Sequence, residues 1–134
     1  MPPLTYSLAT TAALAVALMS APPAGAKQID RITVCGSDGC TTLRPARAVE
    51  RRLFDDSFVA APRRRAPFFT IVVGFGDGRG RILHRERLVY VPAMRMVATG
   101  TRALRWTRAR GARLNTFRSV VRGHRPYPAR QMPL

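Results

Sequence analysis

The sequence predicts a small α+β domain, with a small antiparallel sheet made from two hairpins and one or two short helices. Three observations predict it. Cys35 and Cys40 lie between the strand-like triplets Ile32-Thr33-Val34 and Thr41-Thr42-Leu43. A run of β-branched and aromatic residues from Phe68 to Phe75 is followed, after a glycine-rich turn, by a second run from Ile82 to Val91. Apolar residues recur at helical spacing in two stretches, residues 45–54 and 112–122.

The chain begins with an address. Residues 1–26 carry no charged side chain, and the apolar stretch from Leu8 to Met19 leads to Ala24-Gly25-Ala26. This is the apolar core and small-residue cleavage site of a secretory signal, although Met1 to Ser7 offers only the terminal amine as positive charge. Twelve residues at a helical rise span about 18 Å, short of a roughly 30 Å hydrocarbon core, which favours a cleaved signal over an anchor. Cleavage after Ala26 leaves residues 27–134 as a single small exported basic domain.

Export places the cysteines in an oxidising compartment. The segment Gly36-Ser37-Asp38-Gly39 between them is turn chemistry, and a hairpin holds opposite residues within disulfide reach, so a Cys35–Cys40 bridge is expected. Such a short loop removes little entropy from the unfolded chain, and its role is to pin the turn. A thioredoxin-type centre needs C-x-x-C at a helix start, which this spacing does not supply. A zinc site is disfavoured too, because His84 and His124 stand 40 residues apart and neither has a second ligand at metal spacing. Both histidines read as partly exposed, arginine-flanked surface.

The remaining elements follow in order. Pro45 suits an early helical position, and Ala46, Val49, Leu53 and Phe54 line one face of a helix that ends at Asp55-Asp56-Ser57. The prolines at 62 and 67 bracket Arg63-Arg64-Arg65 in an exposed connection that cannot join a ladder. Phe68 to Phe75 is apolar on both faces and belongs at the centre of the sheet; Ile82 to Val91 returns beside it and stops at Pro92. The glycines at 74, 76, 78 and 80 do not form a phosphate loop: G-x-G-x-x-G needs glycine where Arg79 stands, and no helix follows. Met94 to Thr99 adds a short strand, while residues 101–111 show too mixed a period to assign. Leu114, Phe117, Val120 and Val121 form the apolar face of a helix ended by Gly123, and Pro126-Tyr127-Pro128 closes the chain as an extended tail.

The strings Val34-Cys35-Gly36 with Cys40, Tyr90-Val91-Pro92, the single Trp106 and Pro126-Tyr127-Pro128 resemble those of small uncharacterised secreted proteins of high-GC bacteria. The resemblance spans most of residues 27–134 and implies export and one domain. It implies no site, because such proteins have no known activity to carry over.

Charge is the chain's outstanding property. Of 134 residues 23 are basic and 7 acidic, a net charge of +16, and 22 of the basic residues are arginine. Abundant Ala, Arg, Gly and Pro mark a GC-rich coding bias, which accounts for arginine over lysine but not for the scarcity of carboxylates. The excess is lopsided: residues 61–134 hold seventeen basic and two acidic side chains.

A surface of this kind attracts polyanions, which outside the cytoplasm are anionic envelope polymers and lipid headgroups. The candidate anion-binding residues are Arg63, Arg64, Arg65, Arg105, Arg108, Arg110 and Arg113. Nucleic acid is disfavoured as a partner, because only Trp106, Phe117 and Tyr127 interleave the C-terminal arginines and export removes the chain from the chromosome. A second reading is a protein-binding module, such as an inhibitor of secreted proteases presenting Arg63 to Arg65 as bait. A third is an envelope enzyme using His84 or His124 with Ser37, Ser57 or Ser119. No serine lies in a G-x-S-x-G elbow, and Asp55-Asp56 reads as a helix-end cluster rather than a glycosidase pair, so no catalytic, metal or cofactor residue is assigned and no cofactor is expected. The expected location is secreted or cell-envelope associated.

Overall fold

A computed structural model describes residues 28–44 and 52–134. The signal assigned to residues 1–26 lies outside the described residues, as does most of the helix expected over 45–54; of its described positions Arg52 and Leu53 are helical and Phe54 is not.

The run Phe69–Gly76 forms strand β4, and β-branched residues on both its faces put it in the interior of a seven-stranded sheet. The other strands are β1 (Gln28–Gly36), β2 (Gly39–Leu43), β3 (Phe58–Val59), β5 (Ile82–Val91), β6 (Met96–Thr99) and β7 (Arg105–Arg108). They lie in the order β2-β1-β4-β5-β6-β7-β3, every neighbouring pair antiparallel. The two expected hairpins are β1–β2 and β4–β5. The sheet is larger than two hairpins because β6, β7 and β3 continue it past β5. Residues 101–111, unassigned from the sequence, supply β7 and the start of a helix.

Strand alternation gives the sheet two faces. Phe69, Ile71 and Val73 of β4 face one side, with Ile32 and Val34 of β1 and Leu88 and Tyr90 of β5 beside them in register. The C-terminal helix, Gly111–Val120, covers this face with Leu114 and Phe117, and the rings of Phe117 and Tyr90 stack at 5.1 Å. Phe117 is fully buried, as is Leu53 beside it. The helix has no side-chain N-cap and no acidic residue in its first turn, so burial of this apolar stripe rather than local capping holds it.

On the other face Val89, Val91, Met96, Ala98 and Trp106 form a second core, roofed by the chain's own tail. Tyr127 exchanges two backbone hydrogen bonds with Phe68, its N–H donating at 2.7 Å and its carbonyl accepting at 3.2 Å. A single 3-10 turn, Ala129–Gln131, then delivers Met132 into the core. The tail is therefore extended only as far as Pro128.

The Cys35–Cys40 disulfide is present, its Cα atoms 4.1 Å apart, and Ser37 and Asp38 alone make the turn between the paired glycines 36 and 39. This hairpin tip is clipped to the tail. Ser37 N–H donates to the Arg125 carbonyl at 2.9 Å, and Arg125 N–H donates to Asp38 Oδ1 at 3.1 Å. Gly36 allows the approach, because a Cβ there would overlap the Arg125 carbonyl oxygen.

Candidate anion-binding site

Three of the seven expected anion-binding arginines come together. Arg108 at the end of β7, Arg110 at the start of the C-terminal helix and Arg113 one turn into it line a hollow of about 390 Å³ with Asp55, Ser57 and Val59. The others stand apart. Arg63, Arg64 and Arg65 lie exposed in the connection before β4, where Arg65 Nε donates to the Met132 carbonyl at 3.1 Å. Arg105 stacks its guanidinium 3.6 Å above the Phe58 ring at the β7–β3 edge.

Arg113 differs from its two companions. Its Nε and Nη2 donate to the Leu53 carbonyl at 3.4 and 3.2 Å, its Nη1 to the Arg108 carbonyl at 3.1 Å, and its Nη2 also to Thr107 Oγ1 at 3.0 Å. Asp55 lies 4.0 Å away, and the side chain is 11% exposed. Burial lowers its pKa and the nearby Asp55 carboxylate opposes that shift. With its donors turned inward, Arg113 joins the helix to β7 and to the segment after Leu53. Arg108 and Arg110 supply the outward charge of the hollow.

Carboxylates do little to neutralise this surface. Asp77 accepts the N–H groups of Arg79 and Arg81, Asp55 that of Ser57, and Asp30 that of Gly78. Backbone hydrogen bonds are the largest cause of the lowered pKa of Asp38, Asp55 and Asp77. The acids thus organise turns. Among the described residues the one arginine–carboxylate ion pair is Arg113 with Asp55.

The sheet face opposite the helix carries a second basic region, outside the seven arginines above. Arg31 and Arg85 flank Gly74 in one cross-strand row, and Thr33 and Arg87 flank Val72 in the next. Arg87 forms the wall between two depressions. One, of about 400 Å³, is lined by Cys35, Thr70, Val72, Tyr127 and Gln131. The other, of about 760 Å³, is lined by Arg102, Leu104, Trp106 and the last two residues of the chain. The signal for this region was the alternation of Arg85 and Arg87 around Glu86, which puts both arginines on one face of a strand and the acid on the other.

None of these hollows is lined by a histidine. His84 is half-exposed beside Glu86, at 3.3 Å. His124 is more buried than expected from the sequence: it turns Nδ1 toward Asp38 Oδ1 at 3.6 Å, and that nitrogen is buried without a hydrogen bond. Among the described residues no group of three His, Cys, Asp or Glu side chains converges, and no helix is long and apolar enough to cross a membrane. Comparison with known proteins finds no matching family model, curated protein or solved structure.

Proposed function

We propose that this chain is an exported, non-catalytic basic domain that attaches to anionic surfaces of the cell envelope, either polymers or lipid headgroups with closely repeated oxyanions. One observation carries this reading: a strong excess of arginine meets almost no internal neutralisation, since among the described residues one arginine pairs with a carboxylate and Asp30, Asp38, Asp55 and Asp77 accept from backbone amides. Unneutralised guanidinium groups on several sides of a small domain raise the local concentration of polyanions and speed their capture. The disulfide supports residence in an oxidising compartment, and the reading of residues 1–26 as a signal supports export. Arg63, Arg64, Arg105, Arg108 and Arg110 are the proposed contacts among the candidate arginines, with Arg113 as their internal support.

The inhibitor reading has less support, because the backbone bends at Arg63 and Arg64 whereas a strand-like bait is held extended. The test is co-sedimentation of residues 27–134 with vesicles of equal parts phosphatidylglycerol and phosphatidylcholine and, separately, retention on immobilised polygalacturonate. Binding on at least one support is expected to weaken about tenfold or more between roughly 50 and 200 mM NaCl. Retention indifferent to salt, or no retention on either support, overturns the proposal.

A further inference from the structure

The open sheet face holds a buried polar group that the fold leaves unsatisfied. Thr70 is the second residue of β4, opposite Cys35 on one side and Val89 on the other, and is 6% exposed. Its hydroxyl is buried and has no hydrogen-bond partner. A buried hydroxyl without a partner costs about 1–3 kcal/mol, and valine would fill the same space without that cost. Threonine at this position therefore needs a reason beyond packing.

The surroundings supply one. Thr70 lines the 400 Å³ depression together with Arg87, Tyr127 and Gln131, whose side chains all carry hydrogen-bond donors. No carboxylate lines it. Strand alternation sends Glu86 to the opposite face, and Arg85 and Arg31 lead to Arg87 along the open one. The walls are fixed: Cys35 is held by its disulfide, and Tyr127 by two backbone bonds to Phe68 and by ring contact with Phe68 at 5.3 Å.

We propose that this depression seats a single oxyanion, a carboxylate or a phosphate, with Arg87 pairing the charge and Thr70, Tyr127 and Gln131 donating to the oxygens. This rests on the reading of the chain as an anion binder and adds to it one defined seat. A surface of scattered arginines recognises charge density alone, whereas a guanidinium over fixed hydroxyl and amide donors recognises one group at one place.

The test is calorimetric titration of the folded domain at about 150 mM NaCl, where the general field is largely screened. The probes are trigalacturonate, glycerol 3-phosphate, inorganic phosphate and the neutral maltotriose. At least one anionic probe binds at one site and maltotriose does not; trigalacturonate alone identifies a carboxylate source, and the two phosphate probes a phosphate source. Thr70→Val and Arg87→Gln each weaken that binding about tenfold, while Arg122→Gln, at an exposed position just past the C-terminal helix, leaves it unchanged. Thr70→Val also melts at the same temperature or higher, so its loss of binding is not loss of fold. Absence of binding by every anion, or binding that both variants retain at full strength, overturns the seat. The two proposals fail separately. Vesicle or polymer retention that survives in Arg87→Gln without any small-anion binding removes the seat alone, and a seat found without salt-sensitive retention removes the envelope reading alone.

Discussion

The two faces of the sheet are built from alternate residues of the same strands, yet they use arginine in opposite ways. On the helix-covered face, Arg113 is folded inward and bonded to the Leu53 and Arg108 carbonyls and to Thr107. On the open face, Arg31, Arg85 and Arg87 stand in rows with threonine, valine and glycine and have no carboxylate partner among the described residues. The difference lies in what covers each face. A helix covers the core of the first and takes Arg113 into the structure; the tail roofs only the β5–β6–β7 side of the second, leaving the β1–β4–β5 side to solvent. Residue type alone therefore does not say which arginines bind a partner. Neighbouring acceptors do.

The contrast is broken most severely from the sealed side. Phe117→Ala empties the space between the helix and Tyr90, and a cost of about 3–5 kcal/mol is expected in urea unfolding. The matched change on the open face, Arg87→Gln, is expected to stay within about 0.5 kcal/mol, since it removes an exposed side chain with no ion pair. Similar losses from the two would show that the open face is structural after all.

Arg113 sharpens the comparison at the next level. Arg113→Met keeps much of the side chain's volume but leaves the Leu53 carbonyl and the Thr107 hydroxyl short of a donor, which is expected to cost about 1–3 kcal/mol in the same assay. Arg113→Lys restores one charge without the planar fork and recovers part of that loss. Arg110→Gln, at the position just before the helix and without a side-chain cap bond, is expected to change stability negligibly and to weaken vesicle retention instead. An Arg113→Met protein of unchanged stability would return Arg113 to the binding surface.

How much of this was legible follows from the range of each interaction. The central strand and its hairpin partner were readable because β4 and β5 carry their own pattern, and the disulfide because six residues contain both cysteines and their turn. The strand at Arg105–Arg108 was not, since Arg-Trp-Thr-Arg has no apolar majority and is made a strand by its pairing with β6. Two-residue β3 exists only by pairing with β7, and Arg105 stacked on Phe58 covers it. Arg113 read as the polar side of an amphipathic helix because its main acceptor, the Leu53 carbonyl, is sixty positions away. The tail likewise showed no reason to bury Met132 until Arg65 and Ala66 came to meet it. In each case a local period was readable and a distant acceptor was not.

Opening the disulfide tests the edge of the exposed face with a smaller effect. Cys35→Ser with Cys40→Ser is expected to cost about 2 kcal/mol or less, because the closed loop is short and the turn keeps its backbone bonds to Arg125. A larger loss would mean that the bridge holds more than the hairpin tip.

The smallest effect concerns that tip. Asp38 has its pKa lowered below the ordinary 3.8, first by the Arg125 N–H and also by His124. A carboxyl whose folded pKa is depressed binds fewer protons in the folded state, so its contribution to stability is present above the ordinary value and is lost as pH falls through the folded one. Asp55 and Asp77 shift the same way, so acid should weaken all three turns together. Asp38→Asn removes one of these contributions. Melting temperature measured against pH is expected to fall less steeply for the variant below the ordinary aspartate range, and to be slightly lower than the parent's at neutral pH. An acid limb identical in the two proteins would mean that the clip between hairpin and tail rests on the Ser37–Arg125 backbone bond alone, and that the wall beside Thr70 is held by the disulfide and the Tyr127–Phe68 pair without help from this carboxylate.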